Sequence, residues 1–370
     1  MRLHSLTTFE AKEPIMAEVK VSAEREYVAR ITGDWRGDLS PWVAKRSRVA
    51  IIYSAAMVSY LPQLTFNNAE VLPIEIPDGE TGKSQTVLSY IWELLGKNGF
   101  TRSDLIVAIG GGTVTDMGGY AAASWLRGID WIAVPTTLAG MVDASVGGKT
   151  GINSPYGKNL IGAFHSPVSV IIDPSWLKSL SDRDFAAGLA EVVKCGFIDD
   201  PEILKSIDGK SLSQIRENSG LVSSLIERSI STKAKVVSAD FKESELREIL
   251  NYGHTFGHAI ERVSNYAIRH GEAVAIGMVF VAELAHSAGL IDADLVALHR
   301  KTLAAVSLPT AIGAIDGGHN WPALFAAMSL DKKARGSSIR FVTLTDIGNC
   351  SRLEAVEEAD LKSAYEKVLA

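Results

Sequence analysis

The chain has 370 residues, 46% hydrophobic and 22% charged, with a formal net charge of −6. That length accommodates two domains with their own cores, and the ordinary composition excludes a disordered or fibrous chain. The acidic balance argues against a nucleic-acid binder. Cys195 and Cys350, outside any CxxC spacing, exclude a disulfide framework or thiolate zinc site and fit a reduced, cytoplasmic protein.

The opening MRLHSLTTFEAKEPIM has neither a continuous apolar stretch nor a small-residue cleavage site, so no signal peptide is predicted. Met16 suggests that residues 1–15 are either a dispensable extension or a mis-called start. Strands are predicted at RVAIIYS (48–54) and VLPIEIP (71–77), then an amphipathic helix at 84–99 stopped by glycine. DLIVAIGGG (104–112) reads as a strand entering a glycine turn, and DWIAVPTT (130–137) and VSVIID (168–173) as further strands. Unbroken apolar strands separated by helices predict a parallel sheet covered on both faces. Past 180 the period is helical, at 184–198, 221–240, 245–264, 272–289, 293–306, 321–335 and 358–369, with one β-like exception, SIRFVTL (338–344). The expected architecture is an α/β domain over 1–180, with a mostly parallel Rossmann-like sheet, and an otherwise all-α domain over 181–370, with a ligand cleft between them. The longest apolar run, 273–282, is closed by Glu283 and is about half a membrane span, so no membrane segment is expected.

Several segments carry candidate chemistry. IVAIGGGTVTDMGGYAAA (106–123) combines a glycine turn with a helix start, a phosphate-binding arrangement, although the spacing is neither GxGxxG nor a P-loop. A tight turn that binds nothing is an equal alternative. The glycine-rich stretch 135–165 offers Asp143, Lys149, Lys158 and Asn159, suited to an anionic, hydroxylated ligand. It reads as a functional loop, since some thirty structureless residues are otherwise uncommon. FAAGLAEVVKCGFI sets Glu191 and Lys194 one turn apart; the pattern alone favours a surface ion pair over a metal ligand. Beyond Lys233, Lys235 and Glu243, LREILNYGHTFGHAIE spaces Arg247, Asn251, His254 and His258 by 4, 3 and 4, predicting one polar stripe along a continuous helix that lines a pocket. HExxH is incomplete, because Thr255 takes the place of its Glu, but His270 of IRHGEAVAIG adds a third imidazole. Spacing alone leaves metal ligation, acid–base work and an ordinary helix surface open. His4, His165, His286, His299 and His319 lack such company and read as surface or core, with His165 a partial exception at the end of the glycine-rich stretch.

Taken together, VPTTLAGMVDASVGGKTGIN, GKNLIGAFH, LAEVVKCGFI, LREILNYGHTFGHAIE and RHGEAVAIGM resemble, in order and spacing, the 3-dehydroquinate synthase family over residues 45 to 345. The resemblance implies a zinc or cobalt site at Glu191, His254 and His270. It implies NAD contacts at Asp78, Glu80, Lys83, Gly111, Gly112, Thr113, Val114, Asp116, Thr136, Thr137, Lys158 and Ser179. Substrate contacts would be Arg127, Asp143, Lys149, Asn159, Lys194, Lys233, Arg247, Asn251 and Lys332 or Lys333. Glu243 and His258 would be acid–base groups, with Lys149, Lys194, Arg247 and Asn251 serving the reaction directly. Thr115 and Ser179 depart from the family's usual Gly and Thr, which touches the NAD details. The implied reaction converts a heptulosonate 7-phosphate to dehydroquinate and phosphate, regenerating NAD each turnover in a homodimer. Alternatives are a sister cyclase of the aminodehydroquinate, valiolone or 2-deoxy-scyllo-inosose type, a metal-dependent polyol dehydrogenase, which typically carries Asp where Glu191 stands, and a non-enzymatic binding module.

Overall fold

The structure, a computed structural model, describes residues 16–61, 65–66, 68–243, 245–313, 315, 320–335 and 339–370, with only the backbone described over 330–335. The expected extension 1–15, His4, His319 and the side chains of Lys332 and Lys333 lie outside the described residues. The first half carries β1 (Ala17–Ser22), β2 (Glu26–Ile31), β3 (Arg48–Ser54), β4 (Glu70–Ile76), β5 (Leu105–Gly110), β6 (Asp130–Pro135), β7 (Lys149–Ser154), β8 (Gly157–Phe164) and β9 (Ser169–Ile172). Seven of these form one sheet in the order β1-β2-β9-β6-β5-β3-β4, while β7 and β8 pair as a separate antiparallel hairpin. Within the large sheet only β1 and β2 run antiparallel; β2 joins the parallel strands through β9, with Val28 opposite Ser169.

Every residue of β5 is buried, as a strand covered on both faces requires. Helices α1 (Trp35–Val43), α2 (Gln85–Lys97) and α3 (Gly112–Ser124) connect these strands. The amphipathic pattern of α2 buries Leu88, Ile91 and Leu95, and Ser84 caps its start by accepting from the Val87 N–H. The predicted elements begin at 48, so β1, β2 and α1 are additions. Both strands are amphipathic pieces at one side of the sheet carrying charges on one face, a weaker signal than a continuous apolar run. The glycine-rich stretch is also more ordered than a loop: it forms a π-helical turn at Gly140–Ala144 and then the β7–β8 hairpin.

The second half is α4 (Asp182–Ile198), α5 (Pro201–Ile207), α6 (Leu212–Glu217), α7 (Ser219–Ala239), α8 (His254–Val263), α9 (His270–Ser287), α10 (Ala293–Ala305), α11 (Trp321–Arg335) and α12 (Glu358–Glu366), with the hairpin β10 (Arg340–Asp346) and β11 (Asn349–Glu354) before α12. Helix α9 is apolar nearly all round and packs against α4, α8, α10 and α12 as the centre of this half. The predicted continuous helix over 245–264 is corrected. Leu246–Asn251 is a 3₁₀ turn, Gly253 takes a left-handed φ of 77°, and α8 starts at His254. A Cβ on Gly277 of α9 would lie 1.9 Å from the Gly253 carbonyl oxygen, so the broken segment sits directly on α9. The Arg247–His258 stripe therefore comes from two elements joined by an elbow.

Candidate active site

Glu191 and Lys194 lie on α4 with side chains only 2% exposed, so the pair is buried rather than on the surface. Ser181 starts this helix by accepting from the Asp184 N–H. The elbow at Gly253 turns His254 toward the carboxylate, and His270 arrives from the first position of α9. His254 Nε2 stands 3.6 Å and His270 Nε2 3.4 Å from Glu191 Oε1. The ligand atoms of the three residues lie within 4.8 Å of one another.

The other ring nitrogens define the tautomers. His254 Nδ1 donates to the Tyr252 carbonyl at 3.0 Å, which can only accept, and His270 Nδ1 donates to Glu261 Oε2 at 3.1 Å. Both Nε2 atoms thus face the carboxylate. Lys194 is in ion-pair contact with one oxygen of Glu191, and the other oxygen faces the two imidazoles. Burial would push the Glu191 carboxyl up, but Lys194, His254 and His270 hold it well below the usual range. Burial, with Lys194, lowers His254 to about 3. Burial also works against protonated His270, yet Glu191 and Glu261 lift it to about 10. The carboxylates draw a cation to this point. A buried carboxylate whose Oε1 faces two imidazole Nε2 atoms fits a divalent metal of the zinc or cobalt type.

Charged residues from both halves converge around this centre. Lys233 of α7 donates to Asp143 Oδ1 at 2.6 Å; burial pushes Asp143 up, but Lys233 and Lys194 bring it down to about 2. Lys149 pairs with Glu243, which accepts from Asn251 Nδ2 at 2.9 Å. Arg247, 1% exposed, donates to the carbonyls of Phe241 (2.6 Å) and Gly147 (3.1 Å), and its Nε has no hydrogen bond. Asn159 and Glu243 hold left-handed φ angles of 56° and 59°, a cost of roughly 1–3 kcal/mol for a non-glycine residue.

The predicted NAD residues form a neighbouring group. Lys83 reaches Asp116 and Asn159, and burial raises the Asp116 carboxyl despite the lysine. Glu80 accepts from Asn153 Nδ2 at 2.6 Å and lies 3.5 Å from Lys158. Gly111 opens α3, and a Cβ there would lie 3.1 Å from Thr137 Cγ2, a tight fit beside the α3 N–H groups. Gly112, Thr113 and Val114 form the first turn of α3. The Thr136 hydroxyl meets the Met57 sulfur, and Thr137 Oγ1 accepts from Gly140 N–H. Asp78 accepts from the Ala56 N–H at 3.0 Å, and Ser179 lines a cleft with Trp35, Tyr60 and Trp176.

His258 stands exposed at the rim, its ring centroid 5.3 Å from that of His254. Arg127 is not gathered in. It follows α3, whose 13 residues carry it about 20 Å from the glycine turn, to the end of the sheet where β6 begins. Glu261 is a polar residue of this centre that the sequence reading left out; it closes the motif at HAIE, on α8, seven positions after His254. An apolar cavity of about 420 Å³ beside β3 and β4 contains none of the predicted site residues.

A mostly parallel sheet joined to a helical half is the architecture of the sugar phosphate cyclases. Solved structures with this fold include a 2-epi-5-epi-valiolone synthase from Streptomyces hygroscopicus subsp. jinggangensis 5008 with NAD⁺ and Zn²⁺ bound (TM-score 0.86, 25% identity, 95% of this chain and 98% of that one). A probable glycerol dehydrogenase from Sinorhizobium meliloti 1021 shares the fold alone (TM-score 0.66, 14% identity, 91% and 94%). The family models for the 3-dehydroquinate synthase N-terminal and C-terminal parts match residues 73–187 and 188–334. A 3-dehydroquinate synthase of Thermobifida fusca is 49% identical over 90% of this chain and 90% of its own, and one of Corynebacterium diphtheriae 52% identical over 80% and 81%. The chain belongs to the 3-dehydroquinate synthase family.

Proposed function

We propose that the chain converts 3-deoxy-D-arabino-heptulosonate 7-phosphate to 3-dehydroquinate and phosphate, using NAD and a divalent metal, zinc or cobalt. The observation that carries this reading is Glu191, a buried carboxylate that faces two imidazole Nε2 atoms among cations drawn from both halves. Glu191, His254 and His270 would hold the metal; the Gly111–Val114 turn, Asp116, Lys83 and Lys158 would hold NAD. Bound NAD supplies a reversible hydride acceptor, and the metal a Lewis acid for substrate hydroxyls.

Lys149, Lys194, Lys233, Arg247 and Asn251 would clamp the phosphate and carboxylate, so much of their contribution is positioning and charge stabilisation. Glu243, pinned between Lys149 and Asn251, and His258, exposed at the rim, are the proton-moving candidates. A homodimer and a cytoplasmic location belong to the same proposal; the two cysteines are unpaired, and no helix among the described residues is long and apolar enough to cross a membrane.

The deciding measurement is stoichiometry. Purified protein given the heptulosonate phosphate, metal and one equivalent of NAD per site should release phosphate through many turnovers without net growth of NADH absorbance. One NADH accumulating per product, from a simple polyol, would sink the cyclase reading. Within that assay, His258→Ala should keep its metal while its rate falls by roughly 10²–10⁴, the usual scale of a lost acid–base group. If His258→Ala strips the metal and His270→Ala does not, the division of the two histidines is wrong.

A further inference from the structure

Glu261 is a buried carboxylate, 4% exposed, whose two oxygens are both engaged. Oε2 accepts from His270 Nδ1 at 3.1 Å, and Oε1 accepts from Lys158 Nζ at 3.0 Å. Lys158 stands on β8 in the α/β half, with its ammonium 4.0 Å from the centroid of the Tyr266 ring. Withdrawing a carboxylate from water costs several kcal/mol unless hydrogen-bonded partners meet it. Here one partner is an imidazole at the candidate metal centre and the other a cation from the opposite half.

We propose that Glu261 is a positioning residue of the metal centre. It holds the His270 Nδ1–H so that Nε2 is turned toward Glu191, and Lys158 keeps Glu261 in place. The proposal rests on reading Glu191, His254 and His270 as the metal ligands. His254 is oriented in the same way by a backbone carbonyl, which no substitution removes, so Glu261 is the orienting group that mutation can test. A carboxylate on Nδ1 also makes the opposite nitrogen a stronger donor than a neutral carbonyl does, so the two imidazoles are not equivalent ligands.

Glu261 is also placed to ligate directly, because ligand atoms of His258, Glu261 and His270 lie within 4.8 Å of one another. The hydrogen bonding favours positioning. Both oxygens of Glu261 are hydrogen-bonded, to Nδ1 of His270 and to Lys158, while Glu191 is the carboxylate that faces both imidazole Nε2 atoms. Direct ligation by Glu261 would displace one or both of these existing bonds.

The test is a Co²⁺ titration of chelator-treated protein, followed by visible absorption, with neither NAD nor substrate present. Glu261→Ala should bind Co²⁺ roughly 10–100-fold more weakly than the unaltered protein, with the same band positions. Glu261→Gln, which retains an acceptor but no charge, should fall between the two. Melting of the metal-free forms identifies a misfolded variant, in which case Glu261→Gln supplies the comparison. Affinities within twofold of the unaltered protein for both variants would overturn the proposal. So would complete loss of binding in both while His254→Ala keeps its bands, which would make Glu261 a direct ligand. Normal Co²⁺ binding by Glu191→Gln would instead overturn the underlying reading of the metal site.

Discussion

Replacing Glu191 by glutamine is expected to leave a folded protein that retains no divalent metal after dialysis and releases no phosphate above background. The amide preserves the shape of the side chain and removes its charge, at a position 2% exposed beside an equally buried Lys194. Among the three proposed ligands Glu191 is the only anion, so the centre loses its one charge-neutralising donor. The lost Lewis acid is worth several kcal/mol at the transition state, about three orders of magnitude in rate or more. Lys194 is also left with less to balance it. Breaking a buried ion pair costs about 3–5 kcal/mol, and the nearby Asp143, which also favours the charged lysine, offsets part of that. Metal content by atomic absorption and phosphate release on one preparation decide the matter. A Glu191→Gln protein with a full complement of metal would refute the assignment.

Gly271→Ala should have the largest effect on stability. Gly271 is the second residue of α9, and a Cβ there would lie 1.8 Å from the Ala187 carbonyl oxygen on α4 and 2.5 Å from its carbon. The obstacle is backbone, so no side chain can swing aside. Helix α9 has to move away from α4, carrying His270 with it, while α8 is seated on the same helix. Overpacking of this kind costs about 1–3 kcal/mol or more, and the backbone clash argues for the upper end. The variant should melt at least several degrees lower and bind Co²⁺ more weakly than the parent. An unchanged melting temperature would show that the two helices are not in the contact described.

The parallel sheet and the long helices were legible because their signals are local and strong. β5 is apolar at every position and α4 and α9 repeat without interruption, whereas β1 and β2 alternate charged and apolar residues over six positions each. The break at Gly253 was not legible. The 3.6-residue period continues through it, and only the approach of α9 excludes a straight helix there. Glu191 and Lys194 show the same limit, since an i, i+3 pair has the same spacing whether it faces water or a core. The five ordered motifs identified the family, and the structure brings Glu191, His254 and His270 from three of them to one centre. Arg127 stands apart from that centre, and Glu261, inside a recognised motif, went unassigned because its partner Lys158 lies 103 positions away.

The same topology dictates an order of assembly during synthesis. Strand β2 has β1 beside it in sequence, but its parallel neighbour β9 lies far downstream; Val28 and Ser169 are 141 positions apart. At 5–20 residues per second the ribosome needs roughly 7–30 s to supply β9. Throughout that interval the nascent β1–β2 pair presents a bare strand edge, the kind of surface on which chains join one another wrongly. Glu18 and Arg30 sit opposite each other on that pair and form a 2.8 Å ion pair. Their charges keep one face of the waiting hairpin polar, and so discourage stacking with a neighbouring chain until the rest of the sheet emerges.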